Sequence, residues 1–144
     1  MKNTTLRSAL AALTCTAALV VVGPSMAASV NLKADLKASS EVPPTDSKGA
    51  GSVTATYDTA SKKLSWKGNL SGLSGPATAA HFHSGEPGKN GVVVVPIAGA
   101  DTGSFEGSAT LTDAQADELL AGKWYVNVHT AANKGGEVRG QVTK

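Results

Sequence analysis

The chain of 144 residues contains three histidines, and all of them fall in two short segments. The first is Ala80-His81-Phe82-His83-Ser84-Gly85; the second is Trp124-Tyr125-Val126-Asn127-Val128-His129-Thr130. In an extended strand, residues two apart project to the same face. His81 and His83 therefore point together, and His129 arriving from another strand or loop would bring three imidazoles to one place. Three neutral imidazoles suit Cu(II) or Zn(II). The single cysteine, Cys15, lies inside an apolar N-terminal run, so the folded part has no thiolate to offer a metal. The expected site is His81, His83 and His129, with copper as the first choice of metal and zinc as the alternative. The competing reading is three surface imidazoles that hydrogen-bond nearby loops.

Four neighbours could support such a site. Tyr125 and Asn127 share the strand face of His129, opposite the apolar set Trp124, Val126 and Val128, and could orient ligand imidazoles from behind. Glu137 and Arg139 are also two apart on one strand. Either Glu137 orients a ligand histidine and Arg139 attracts an anion, or the two form an ion pair on a solvated face, worth little. The segment Ser84-Gly85-Glu86-Pro87-Gly88-Lys89-Asn90-Gly91 reads as a shaped turn directly after the histidine pair, with Asn90-Gly91 as its tight connection and Glu86 as a solvated carboxylate or, alternatively, an oxygen ligand. No nucleophile elbow and no phosphate-binding loop occurs.

The elements that must position these residues are short strands. Val30 to Ala38, Gly51 to Tyr57 and Leu64 to Leu70 alternate apolar and polar residues, as half-buried strands do. The latter two read as a hairpin around a polar turn. Ala77 to His83, Val92 to Val95, Gly103 to Leu111, Trp124 to Thr130 and Glu137 to Thr143 continue the series. Thr112 to Ala121 is the one helical signal, with Thr112 or Asp113 as its cap. About eight strands with turns every 8–12 residues predict an all-β, antiparallel Greek-key β-sandwich with one short helix.

The N-terminus reads as an export signal. Lys2 and Arg7 precede the apolar stretch Ala9 to Val22, Gly23-Pro24 breaks it, and Ser25-Met26-Ala27 fits cleavage after Ala27. The stretch is too short for a membrane span, which takes ~20 residues. The whole chain carries 13 basic and 11 acidic residues. Lys2 and Arg7 account for the difference, so residues 28–144 are formally neutral. No basic stripe remains to bind nucleic acid. The expectation is a leader over 1–27 and one periplasmic or secreted domain over 28–144.

Ala-His-Phe-His-Ser-Gly, together with Trp124 to Gln141 and its Gly135-Gly136-Glu137-Val138-Arg139-Gly140 run, resembles the CHRD domain. That domain, named from chordin, also occurs as a single secreted bacterial module. The resemblance spans nearly all of residues 28–144 and implies an immunoglobulin-like β-sandwich, without a settled biochemical activity. A weaker resemblance is to copper-zinc superoxide dismutase. It too is a β-sandwich, with a His-x-His pair on one strand and a later histidine ending a Val-rich strand, and these bind copper. His81, His83 and His129 match that order. The remaining histidines and the cysteine pair of the dismutase have no counterpart, so this likeness favours copper binding over dismutase turnover.

The sequence thus leads to a metal-binding module that handles an ion rather than transforming an organic substrate. A structural or protein-interaction module, with a protein partner or a second copy of the chain, is the reading from another class. A dismutase-type redox enzyme is the third.

Overall fold

The computed structural model describes residues 27–144; the expected leader, apart from Ala27, lies outside the described residues. Eight strands and one α-helix make up the domain: β1 (Ser29–Lys37), β2 (Ala50–Asp58), β3 (Lys63–Ser71), β4 (Ala77–Ser84), β5 (Val92–Ile97), β6 (Ser104–Thr110), α1 (Asp113–Leu120), β7 (Trp124–Thr130) and β8 (Val138–Gln141). All strand pairings are antiparallel, as the sequence predicts.

The strands hydrogen-bond in the single order β5-β4-β7-β8-β1-β2-β3-β6. Two four-stranded layers are thereby joined at one seam. There the pairing is sparse: Lys37 faces Arg139 across β1 and β8, and Lys33 bridges Thr143. A narrow seam lets the sheet fold over, so that the two inner faces close on one core. Trp66 of β3 and Phe82 of β4 meet edge to face with ring centroids 5.1 Å apart, and Phe82 packs on Trp124 at 6.0 Å. Phe82, Trp124, Val126 and Val128 are fully buried, as the alternation predicts.

Local chemistry sets the ends of the elements. Thr112 caps α1 through a reciprocal box: its hydroxyl accepts from the Gln115 amide, and the Gln115 side chain accepts from the Thr112 amide. Pro96 lies within β5 rather than ending it, which is tolerated because β5 is an edge strand. The Asn90-Gly91 pair is not the tight connection between β4 and β5. That turn is closed by the Lys89 amide donating to the Glu86 carbonyl, with Gly88 at positive φ.

Candidate metal centre

Strand register assembles the site. Across β4 and β7, His81 faces Asn127, His83 faces Tyr125 and Ala79 faces His129. Across β7 and β8, Asn127 faces Arg139 and Tyr125 faces Gln141. The pleat puts His81, His83, Tyr125, Asn127, His129 and Arg139 on one face of these three strands. His129 sits diagonally from His81, within reach of a long ring. The imidazole centroids of His81 and His129 are 5.3 Å apart, and those of His81 and His83 5.5 Å. One ligand nitrogen from each of the three rings lies within 4.8 Å of the others. Ligands on a ~2 Å radius around a tetrahedral ion stand about 3.3 Å apart, so side-chain rotations of about an ångström bring them onto a common centre.

The hydrogen bonds of these rings decide which nitrogens are free. His83 Nδ1 donates to the Gly91 carbonyl at 3.0 Å, and His129 Nδ1 donates to the Lys134 carbonyl at 2.9 Å. A carbonyl can only accept, so each bond fixes the tautomer that leaves an Nε2 lone pair. His83 Nε2, His129 Nε2 and His81 Nδ1 are buried and have no hydrogen-bond partner among the described residues. Three orphaned buried nitrogens are costly in a protein interior, and a metal ion between the rings would satisfy them. Burial, and then the neighbouring His129 and His83, hold the His81 imidazolium pKa below its ordinary value. Burial also lowers that of His83, against the opposing bond to Gly91. Both rings are thus kept neutral, as ligation requires.

The face that carries the histidines is not a solvated one. Tyr125, Asn127 and Arg139 are buried, at 2 %, 4 % and 2 % exposure, as is His83; only His81 and His129 are half-buried. Loop 85–91 covers the face. Tyr125 stacks on His83 with centroids 4.7 Å apart and an interplanar angle of 9°, and its hydroxyl accepts from the Gly91 amide at 3.1 Å. Gly91 therefore serves both rings, with its carbonyl on one and its amide on the other. A Cβ there would collide with the Ser84 carbonyl, so a side chain would displace this contact. Arg139 holds the same loop: its Nη1 donates to Asn90 Oδ1 at 2.9 Å and its Nη2 to the Lys89 carbonyl at 2.6 Å, while its guanidinium lies 3.4 Å over the Tyr125 ring.

The surface ion pair expected between Glu137 and Arg139 does not form. Glu137 is fully buried and faces a different set of partners. Its carboxylate accepts from the Ser47 hydroxyl, the Ser74 amide and hydroxyl, the Thr130 hydroxyl and the Asn133 side-chain amide. Burial pushes its pKa up, but the bonds from Ser47, Ser74 and Thr130 outweigh it and hold the carboxyl at about 2. Glu137 touches no histidine directly. Asn133, which it holds, also accepts from the Thr130 and Gly136 amides, in the loop that carries the Lys134 carbonyl to His129. Glu86 is exposed and lies 3.6 Å from Lys123.

Glu41 was not expected at the site. It is 5 % exposed, and one of its carboxylate oxygens has no partner. Burial raises its pKa to about 7, with Arg139, the Val42 backbone and Asn127 opposing. A Cβ on Gly136, whose φ is +129°, would meet both a Glu41 oxygen and the Asn127 amide nitrogen. Nothing around Glu41 in the sequence signals this, because its partners are about ninety residues away. A surface depression of about 580 Å³ lies on the other layer, around Trp66 and Lys67, and shares no residue with the histidines.

The sequence profile of the CHRD domain matches residues 32–142. The chain belongs to the CHRD domain family. No curated protein and no solved structure matches it. The CHRD match spans all eight strands except the first residues of β1, and it includes both histidine segments. No helix among the described residues is long and apolar enough to cross a membrane.

Proposed function

We propose that this CHRD domain is an exported metal-binding module that takes up copper through His81, His83 and His129. The observation that carries the reading is the set of three buried, unpartnered imidazole nitrogens. Two of them belong to rings whose other nitrogen is already committed to a backbone carbonyl. Such a pattern is the usual arrangement behind a ligated histidine. Copper is preferred to zinc on the dismutase-like order of the histidines. Tyr125, Asn127 and Arg139 act from behind the ligands, and Glu137 acts at one remove, through the 131–136 loop. The half-buried His81 and His129 leave a route for an ion to enter and leave, which suits metal handling more than turnover of an organic substrate.

Export with cleavage after Ala27 belongs to the same reading. Ala28 is already tied to the domain, its amide donating to Thr59 Oγ1 and its carbonyl accepting from the Thr59 amide. N-terminal sequencing of extracytoplasmic protein should begin at Ala28; an intact Met1 there refutes export by this route.

Calorimetric titration with copper tests the centre. The parent should bind one ion per chain, and each of His81→Ala, His83→Ala and His129→Ala should bind it at least ~100-fold more weakly. A triple variant that binds copper as tightly as the parent removes the site. The reading that then takes its place is a protein-interaction module. It would rest on Val92 and Val93, which are 71 % and 51 % exposed on the edge strand β5.

A further inference from the structure

Three features of the centre bear on charge. All its donors are neutral: the cluster contains no carboxylate, and the domain has no cysteine. A triangle of imidazoles with no fourth His, Cys, Asp or Glu in the cluster among the described residues also departs from the tetragonal geometry that Cu(II) favours. Finally, a fixed cation stands behind one ligand. The Tyr125 ring carries His83 at 4.7 Å and the Arg139 guanidinium at 3.4 Å. One ring face cannot hold both, so His83, Tyr125 and Arg139 form a three-layer stack.

Arg139 is almost fully buried, so water and salt screen it weakly. Both its hydrogen bonds go to uncharged groups, Asn90 Oδ1 and the Lys89 carbonyl, and no ion pair compensates it among the described residues. The nearby acids do little to cancel it. Burial raises the Glu41 pKa to about 7, so near neutral pH it carries only part of a negative charge, and Glu137 is committed to hydroxyl and amide donors.

From this geometry we infer that the centre selects copper by oxidation state and holds Cu(I) more tightly than Cu(II). The inference rests on the copper reading above and adds the state of the ion. At a separation on the order of 10 Å and an effective dielectric of about 20, each extra unit of metal charge beside Arg139 costs roughly a tenfold loss of affinity. The three-imidazole geometry acts in the same direction. A dry, cationic surround is one of the ways in which a protein sets the potential of a bound metal.

The test is a pair of competition titrations on the purified exported protein, anaerobic Cu(I) against a Cu(I)-specific chromophoric chelator and Cu(II) against an amino-acid chelator. The expected result is Cu(I) bound at least 100-fold tighter. Arg139→Gln should reduce that ratio about tenfold, which is about 59 mV in the potential of the one-electron couple. Arg139→Lys, which keeps the charge, should restore most of it. Because changes at Arg139 can loosen loop 85–91, Glu41→Gln supplies a second probe. It removes the residual negative charge facing Arg139 and should raise the ratio. Cu(II) bound as tightly as Cu(I), or a ratio unmoved by both Arg139→Gln and Glu41→Gln, overturns the selectivity while leaving a copper site. Failure of both ions to bind overturns the metal centre itself, and the selectivity with it.

Discussion

The Glu137 cluster and the histidine cluster are both buried polar groups assembled around β7, and they end in opposite states. Every oxygen of the Glu137 carboxylate is occupied, by Ser47, Ser74, Thr130 and Asn133. The three imidazoles each keep one buried nitrogen with nothing to bond. Buried polar groups are normally satisfied because an orphan costs about 1–3 kcal/mol. The contrast therefore separates a region built to hold the fold from one whose partner comes from outside. The two are mechanically joined: the Asn133 that binds Glu137 belongs to the loop whose Lys134 carbonyl fixes the tautomer of His129.

The strongest test of the contrast is Glu137→Ala. It strands four donor residues from three segments, and should destabilise the metal-free domain by about 3 kcal/mol or more. A loss below about 1 kcal/mol in denaturant melts would mean that the cluster does not hold the fold. The histidines should behave in the reverse way. His81→Ala and His129→Ala, at half-buried positions, should leave metal-free stability almost unchanged, and all three histidine variants should abolish the gain that copper gives the parent. That gain is about 2.7 kcal/mol at a hundredfold excess of metal over its dissociation constant. If the variants unfold instead, the histidines belong to the structural class.

Acid and base separate the two carboxylates. Glu137 has its folded pKa at about 2, below the ordinary 4.5. Its contribution is fully present above pH 4.5 and is lost as pH falls towards 2. Glu41 runs the other way, with a folded value of about 7. Its protonated form favours the fold, so that contribution is present below pH 4.5 and lost as pH rises through 7. Glu41→Gln should therefore stabilise at pH 8 by on the order of 2 kcal/mol and do nothing at pH 4; equal effects at both pH values would refute a charge-based cause. Copper affinity should fall with acidity, but later than for ordinary histidines. His81 and His83 are held below 6.5, so these two ligands reach half-protonation only below that value. The smallest expected effect belongs to Asn127→Ala. It touches the ligands only from behind and should weaken copper binding by about tenfold; a loss as large as that of a ligand variant would place Asn127 among the ligands.

By itself the sequence determined the periodic and local features. Alternation in Ala77 to His83 and Trp124 to Thr130 put Phe82, Trp124, Val126 and Val128 inward and set the histidines, Tyr125 and Asn127 together on the other face, because strand parity depends only on counting by two. The helix cap at Thr112 was legible for a similar reason: its partner, Gln115, is three residues away. The His-Phe-His and Trp124 to Gln141 segments carried the family resemblance. What lay beyond this reading depends on contacts between residues far apart in the chain. Parity shows which residues share a face but not what covers it. Only the packing of loop 85–91 over Tyr125 and Arg139, and of Glu41 and Gly136 over Asn127, made these interior groups, and so turned an expected surface ion pair into two separate buried networks. Ser47 and Ser74 reach Glu137 across 90 and 63 positions, and Glu41 reaches Arg139 and Asn127 across a similar span. No local pattern encodes such pairings, because side-chain satisfaction is decided by three-dimensional proximity after the strands have found their register.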